Sequence, residues 1–157
     1  MQQQMSIGER LFRKIACNSR VSSRRIKSIR ILASNPSEKN IESLLHTLSD
    51  VDPEVRKAAA TYLLMTGKEE VIDKILCKMD PSNPIVWGTM IPILVEIFST
   101  PGKSEWEATY LLLDTKRSHM LDILSSILDE NKHNGKMSVY EEQIFAAHIS
   151  YLQELLA

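Results

Sequence analysis

The residue types that perform chemistry are thinly spread in this chain. His46, His119, His133 and His148 follow neither HxxH nor HExxH spacing, and "HNGKM" offers no further ligands beside His133, so no metal centre is expected. Cys17 and Cys77 stand alone, without metal-like spacing, and read as two free thiols of a reducing compartment. There is no GxxxxGK[ST] or GxGxxG to cradle a phosphate, and no GxSxG to raise a nucleophilic serine. His148 falls on an apolar helical face, where a satisfied core imidazole is the ordinary occupant. Glu141-Glu142 and Asp129-Glu130 read as solvated helix ends. The expectation is a non-catalytic protein without cofactor.

The feature that could recognise a ligand is charge. Residues 1–37 hold eight lysines and arginines against Glu9 alone, a net of +7, while the rest of the chain sums to -8 and the whole to -1. Projected at about 100° per residue, Arg20, Arg24, Lys27 and Arg30 fall within roughly 120° of one helix face, with Ile26, Ile29 and Ala33 on the far side. Such a stripe can hold phosphates or an acidic protein surface, or it can be a solvated face balanced by the acidic remainder of the chain. Arg25 belongs to the same basic segment and is a candidate contact with the other four. Phe12 is the only aromatic residue before Tyr62, so stacking on single-stranded bases is disfavoured, whereas contact with a duplex backbone stays open.

The elements that must position these residues are helices. The chain has 157 residues, 43% apolar and 25% charged, with few glycines and prolines, which suits one all-helical domain with a real core. No apolar run is long enough for a signal peptide or a membrane span, and "IPILVEIF" is too short; a cytoplasmic monomer is expected. Apolar periodicity predicts helices over 7–18, with Ser6 as cap and Ile7, Leu11, Phe12 and Ile15 on one face, and over 22–34, with Ile26, Ile29, Leu32 and Ala33 together. A third places Ile41, Leu44, Leu45 and Leu48 at helical spacing. In "SDVDPE", Asp52 is the natural N-cap, Pro53 takes the first turn and Glu54 suits the positive helix end. The helix it opens presents Val55, Ala58, Ala59, Tyr62 and Leu63, and Gly67 closes it.

The pattern then repeats. Ile72, Ile75, Leu76 and Met79 stand 31 residues beyond Ile41, Leu44, Leu45 and Leu48, and Asn83-Pro84 stands 31 beyond Asp52-Pro53. Val86, Met90, Ile93 and Leu94 continue the correspondence. A fixed period over helix–turn–helix units marks a helical solenoid, with units at about 6–34, 38–67 and 69–98. Beyond Phe98 the register is lost. A turn at 99–105, further helices, a polar loop at 131–137 and a last helix carrying Ile144, Phe145, His148, Tyr151, Leu152 and Leu155 on one side complete about eight helices. Those of residues 104–157 would cap the stack.

The segment "LLHTLSDVDPEVRKAAATYL" resembles the HEAT repeat, through Asp50, Asp52, Pro53, Val55, Arg56, Ala58 and Ala59. The likeness is close over 44–63, looser over 70–97 and weakest over 7–33. It implies a right-handed α-solenoid of antiparallel helix pairs, and a structural ladder between repeats that involves Asp52 and Arg56. The following unit departs from the family pattern: Pro81, Asn83, Trp87 and Gly88 replace Asp50, Asp52, Arg56 and Lys57, and Pro92 should kink its helix. Trp87 is either a packing hydrophobe at the end of the ladder or, bared by Gly88, an anchor for a partner. The leading functional expectation is an adaptor that binds another protein. Duplex nucleic-acid binding through the basic helices is the alternative, and a lyase-type module such as the HEAT-like phycobilin lyases is a third with no residues here to carry it.

Overall fold

A computed structural model describes residues 7–134 and 139–157, with side chains outside 132–142, 144 and 145. The expected cap Ser6, residues 135–137 of the expected loop, and the side chains of His133, Glu141, Glu142, Ile144 and Phe145 lie outside what is described. Among the described residues there are nine α-helices and one short 3-10 turn, and no strand. Two compact units divide the chain, residues 1–66 and 67–157.

In the first unit, α1 (Ile7–Asn18), α2 (Ser22–Ala33), α3 (Glu38–Thr47) and α4 (Pro53–Met65) match the helices expected from the periodicity. Each of α1 and α2 packs on the other, as do α3 and α4; in addition α1 meets α3, and α2 meets both α3 and α4. The core is supplied by Ile29 and Leu32 of α2, Ile41, Leu44 and Leu45 of α3, and Val55, Ala59, Ala60, Leu63 and Leu64 of α4. Polar links reinforce it. Asn40 is fully buried; its amide donates to the Asn35 carbonyl at 2.7 Å, and its oxygen accepts from Arg13 of α1 at 3.1 Å. Asn35 also bonds Glu9, so α1 is fastened both to the α2–α3 turn and to α3.

Two apolar faces differ from those the sequence suggests. Ile7 is 88% exposed and Leu11 lies in solvent with Arg10 and Lys14, while Ala16 is the buried residue of α1. The helix is turned so that its alanine faces inward, and Ile7 and Leu11 are left exposed among the described residues. On α2 the buried row is Arg25, Ser28, Ile29 and Leu32, rotated away from Ile26 and Ala33.

In the second unit, α5 (Glu69–Lys78) and α6 (Pro84–Ser99) are followed by the 3-10 turn Ser104–Trp106, α7 (Glu107–Asp114), α8 (Arg117–Asn134) and α9 (Val139–Leu156). The helical run to Asn134 replaces the first part of the loop expected at 131–137. Helix α6 is apolar on nearly every side and buries Val86, Trp87, Met90, Ile91, Ile93, Leu94, Ile97 and Phe98, the pattern of a central helix. It packs on α9, which also packs on α8. Pro92 sits inside α6 on an exposed site and the helix runs on through it. The buried row of α9 is Ile149, Leu152 and Leu156; His148 and Tyr151, expected on the apolar face, are exposed. Arg117 at the start of α8 donates to the carbonyls of Leu155 and Leu156 at 3.0 and 2.9 Å, satisfying the end of α9, and lies 5.5 Å from the centre of the Phe98 ring. Lys116 beside it bonds Asp73 and Glu69 of α5 at 2.7 and 3.1 Å, and those carboxylates raise its pKa.

Gly67, at the end of α4, has φ +58°, and a Cβ there would sit 3.1 Å from the Ala108 Cβ. Gly67→Ala is therefore expected to cost about 1–2 kcal/mol through the left-handed backbone alone, with a further penalty from the contact. Urea unfolding checks this, and a midpoint equal to that of the native protein would contradict it.

Candidate interaction surface

The α1–α2 and α3–α4 turns of the first unit are joined by a guanidinium. Arg25 is only 6% exposed. Its Nη1 donates to the Ser19 carbonyl at 2.6 Å, on the turn that precedes α2. Its Nη2 donates to the Asp50 carboxylate at 2.9 Å, on the turn that precedes α4, and to the Ser22 hydroxyl at 3.3 Å. Asp50 in turn accepts the Asp52 amide at 2.9 Å, which shapes the entry to α4. The planar fork of arginine can hold two turns in one orientation, which a lysine point charge cannot. Arg25 is thus a structural brace and not one of the partner-binding cations among which its segment placed it.

The residues around this brace serve the same turn. Asp52 caps α4 by accepting the Glu54 amide at 2.9 Å. The Ser22 hydroxyl, that amide and the nearby Arg25 hold its carboxyl below the usual carboxylate range. Arg56 donates to the Asp50 and Val51 carbonyls at 2.7 and 3.2 Å. The ion pair between α2 and the α3–α4 turn is that of Arg25 and Asp50. The residue 25 positions beyond Arg56 is Pro81, so the next unit offers no carboxylate at that place.

With Arg25 turned inward and Arg13 bonded to Asn40, the exposed cations of the segment include four around α2. Arg24, Lys27 and Arg30 are exposed along one side of α2, and exposed Arg20 precedes them in the α1–α2 turn rather than on the helix. None of the four makes a salt bridge among the described residues, so the acidic remainder of the chain does not neutralise them there. Residues 1–66 carry eleven lysines and arginines against six carboxylates, while residues 67–157 carry eight against fourteen.

A cleft of about 390 Å³ opens between the same two turns. Cys17, Ser19, Arg20 and Arg25 line one side, and His46, Thr47, Asp50 and Val51 the other. Burial first, and the nearby Asp50 second, push the Cys17 thiol above its ordinary pKa, which favours the neutral thiol over the thiolate. The sequence reading missed this cleft, which is made by residues too far apart in the chain for any motif to link.

Trp87 lies elsewhere, in α6, 1% exposed, with its indole N–H directed to the Pro81 carbonyl at 3.4 Å. It packs; it is not an exposed anchor, and Gly88 beside it does not bare it. No group of three or more His, Cys, Asp or Glu side chains is placed to hold a metal ion among the described residues. No described helix is long and apolar enough to cross a membrane. Comparison with protein-family models, curated proteins and solved structures gave no match.

Proposed function

We propose that this chain is a non-catalytic helical-repeat scaffold, HEAT-like in its construction, that binds an acidic partner protein through the outer face of α2. The observation that carries the reading is the row Arg20, Arg24, Lys27 and Arg30, exposed and without a salt bridge among the described residues. Unscreened cations held on a rigid helix accelerate encounter with an acidic surface and fix its register. The contacts of α1 with α3 and α2 with α4 are those of two stacked helix pairs, which supports the reading of residues 6–34 and 38–67 as successive solenoid layers. Exposed Val21 and Val51 beside the cations add apolar surface that a protein partner can cover and a phosphate backbone cannot use.

The test is a fluorescence-anisotropy titration with a labelled peptide of glutamate and alanine, run beside a DNA duplex. The peptide is expected to bind, and added salt to weaken it. Arg24→Glu/Lys27→Glu/Arg30→Glu is expected to lower affinity on the order of tenfold or more at low salt, with stability changed by no more than about 0.5 kcal/mol because all three sites are exposed. Equal peptide affinity before and after charge reversal would sink the reading. Duplex binding with a steep negative salt slope, and none of the peptide, would replace it with phosphate recognition.

A further inference from the structure

We infer that the cleft between the α1–α2 and α3–α4 turns is the anchor pocket of this surface, receiving a carboxylate of the acidic partner segment that lies along α2. The inference rests on the reading of the basic face given above and adds where on the unit the partner is fixed. Arg20 belongs to both features: it is the last cation of the row and lines the cleft. A segment whose acidic groups follow Arg30, Lys27 and Arg24 is led to the opening beside Arg20. The volume of about 390 Å³ is within the range of pockets that hold a ligand group.

The walls are suited to a carboxylate. Asp50 contributes no free negative charge, since Arg25 neutralises it at 2.9 Å. Arg20, in the α1–α2 turn, and His46, near the end of α3, both line the cleft and are exposed, and neither makes a side-chain bond within the described residues. Arg25 itself is buried and engaged with Ser19, Ser22 and Asp50, so it shapes the wall rather than meeting the ligand. Val51, 92% exposed, stands at the mouth and supplies an apolar edge. The brace also pre-organises the pocket, because Arg25 grips a backbone carbonyl of one wall and a carboxylate of the other, so little ordering remains to oppose binding.

Cys17 makes the cleft directly testable, since its thiol lines it while Cys77 is exposed on α5 of the other unit. Maleimide labelling of the whole chain, followed by mass spectrometry with and without the glutamate–alanine peptide, reads both thiols at once. The peptide is expected to slow Cys17 labelling severalfold and to leave Cys77 unchanged. Val51→Glu, which sets a carboxylate at the mouth on an exposed site, is expected to weaken the peptide on the order of tenfold, and Val51→Ala much less. Peptide binding that disappears in the triple charge-reversed variant, yet neither shields Cys17 nor responds to Val51→Glu, overturns the anchor pocket and leaves the basic-face reading standing. A peptide that does not bind the native chain at all overturns both, and shielding of Cys17 by the DNA duplex alone overturns a protein segment as the occupant.

Discussion

Asp50→Ala should destabilise the first unit by about 3–5 kcal/mol, because it leaves the Arg25 guanidinium buried without its counter-charge. Both side chains are shielded from water, at 8% and 9% exposure, and the pair closes at 2.9 Å. Desolvation makes such a pair an uncertain source of net stability when it is intact, but removing one partner exposes the full cost of the other. The loss is compounded by the Asp52 amide, which loses its acceptor at the entry to α4. For a slope of about 1–3 kcal/mol per molar urea, the midpoint should fall by at least about 1 M. Arg25→Ala should also be severe, and it releases the Ser19 carbonyl as well. The double variant should lose less than the sum of the single losses, by about 1–3 kcal/mol, since its two changes share one interaction. Strict additivity in that cycle would show that Arg25 and Asp50 do not act as a brace.

Trp87→Ala should be of similar size, about 3–5 kcal/mol, through loss of a fully buried indole and the cavity it leaves. Trp87→Phe should cost much less, since most of the volume is kept and the bond to the Pro81 carbonyl, at 3.4 Å, is long. The decisive comparison is with binding. At a temperature where the alanine variant is folded, its affinity for the acidic peptide should match that of the native chain. A Trp87→Ala protein that unfolds at the native midpoint but has lost its partner would restore Trp87 as an anchor and contradict its placement in the core.

Much of the architecture was legible in the sequence, for identifiable reasons. The residues Ile41, Leu44, Leu45 and Leu48, and their copies 31 positions on, are buried as their spacing requires, and Asp52 caps α4 as its place before Pro53 requires. Helix ends were readable where Pro, Gly or a capping side chain marks them. Faces were less readable where large apolar residues surround a helix. On α9, Ile149, Leu152 and Leu156 form one row and His148, Tyr151 and Leu155 the adjacent one, and only packing chooses between them. On α1 an alanine was preferred to Ile7 and Leu11 because it permits close approach of the neighbouring helices.

The candidate surface was half legible. Arg24, Lys27 and Arg30 share one exposed side of α2 as helical geometry requires, whereas Arg20, projected onto the same helix, stands exposed in the turn before it. The role of Arg25 was present in the same projection: at about 100° per residue it falls roughly 40° from Ile29 and 20° from Leu32, on the apolar side. An arginine on that side must find a buried acceptor, and Asp50, 25 residues away, could be recognised as that acceptor only once α2 and the α3–α4 turn had been brought together. The cleft was not legible at all, because its walls come from two turns that meet only in the folded unit.

The most direct test of the account is a heteronuclear NMR titration of the chain with the glutamate–alanine peptide at low salt. Amide shifts are expected to concentrate in residues 19–30 and 46–51, the outer row of α2 and the two turns beneath it, and to be absent from the triple charge-reversed variant. Shifts confined to residues 67–157, or undiminished by charge reversal, would contradict it.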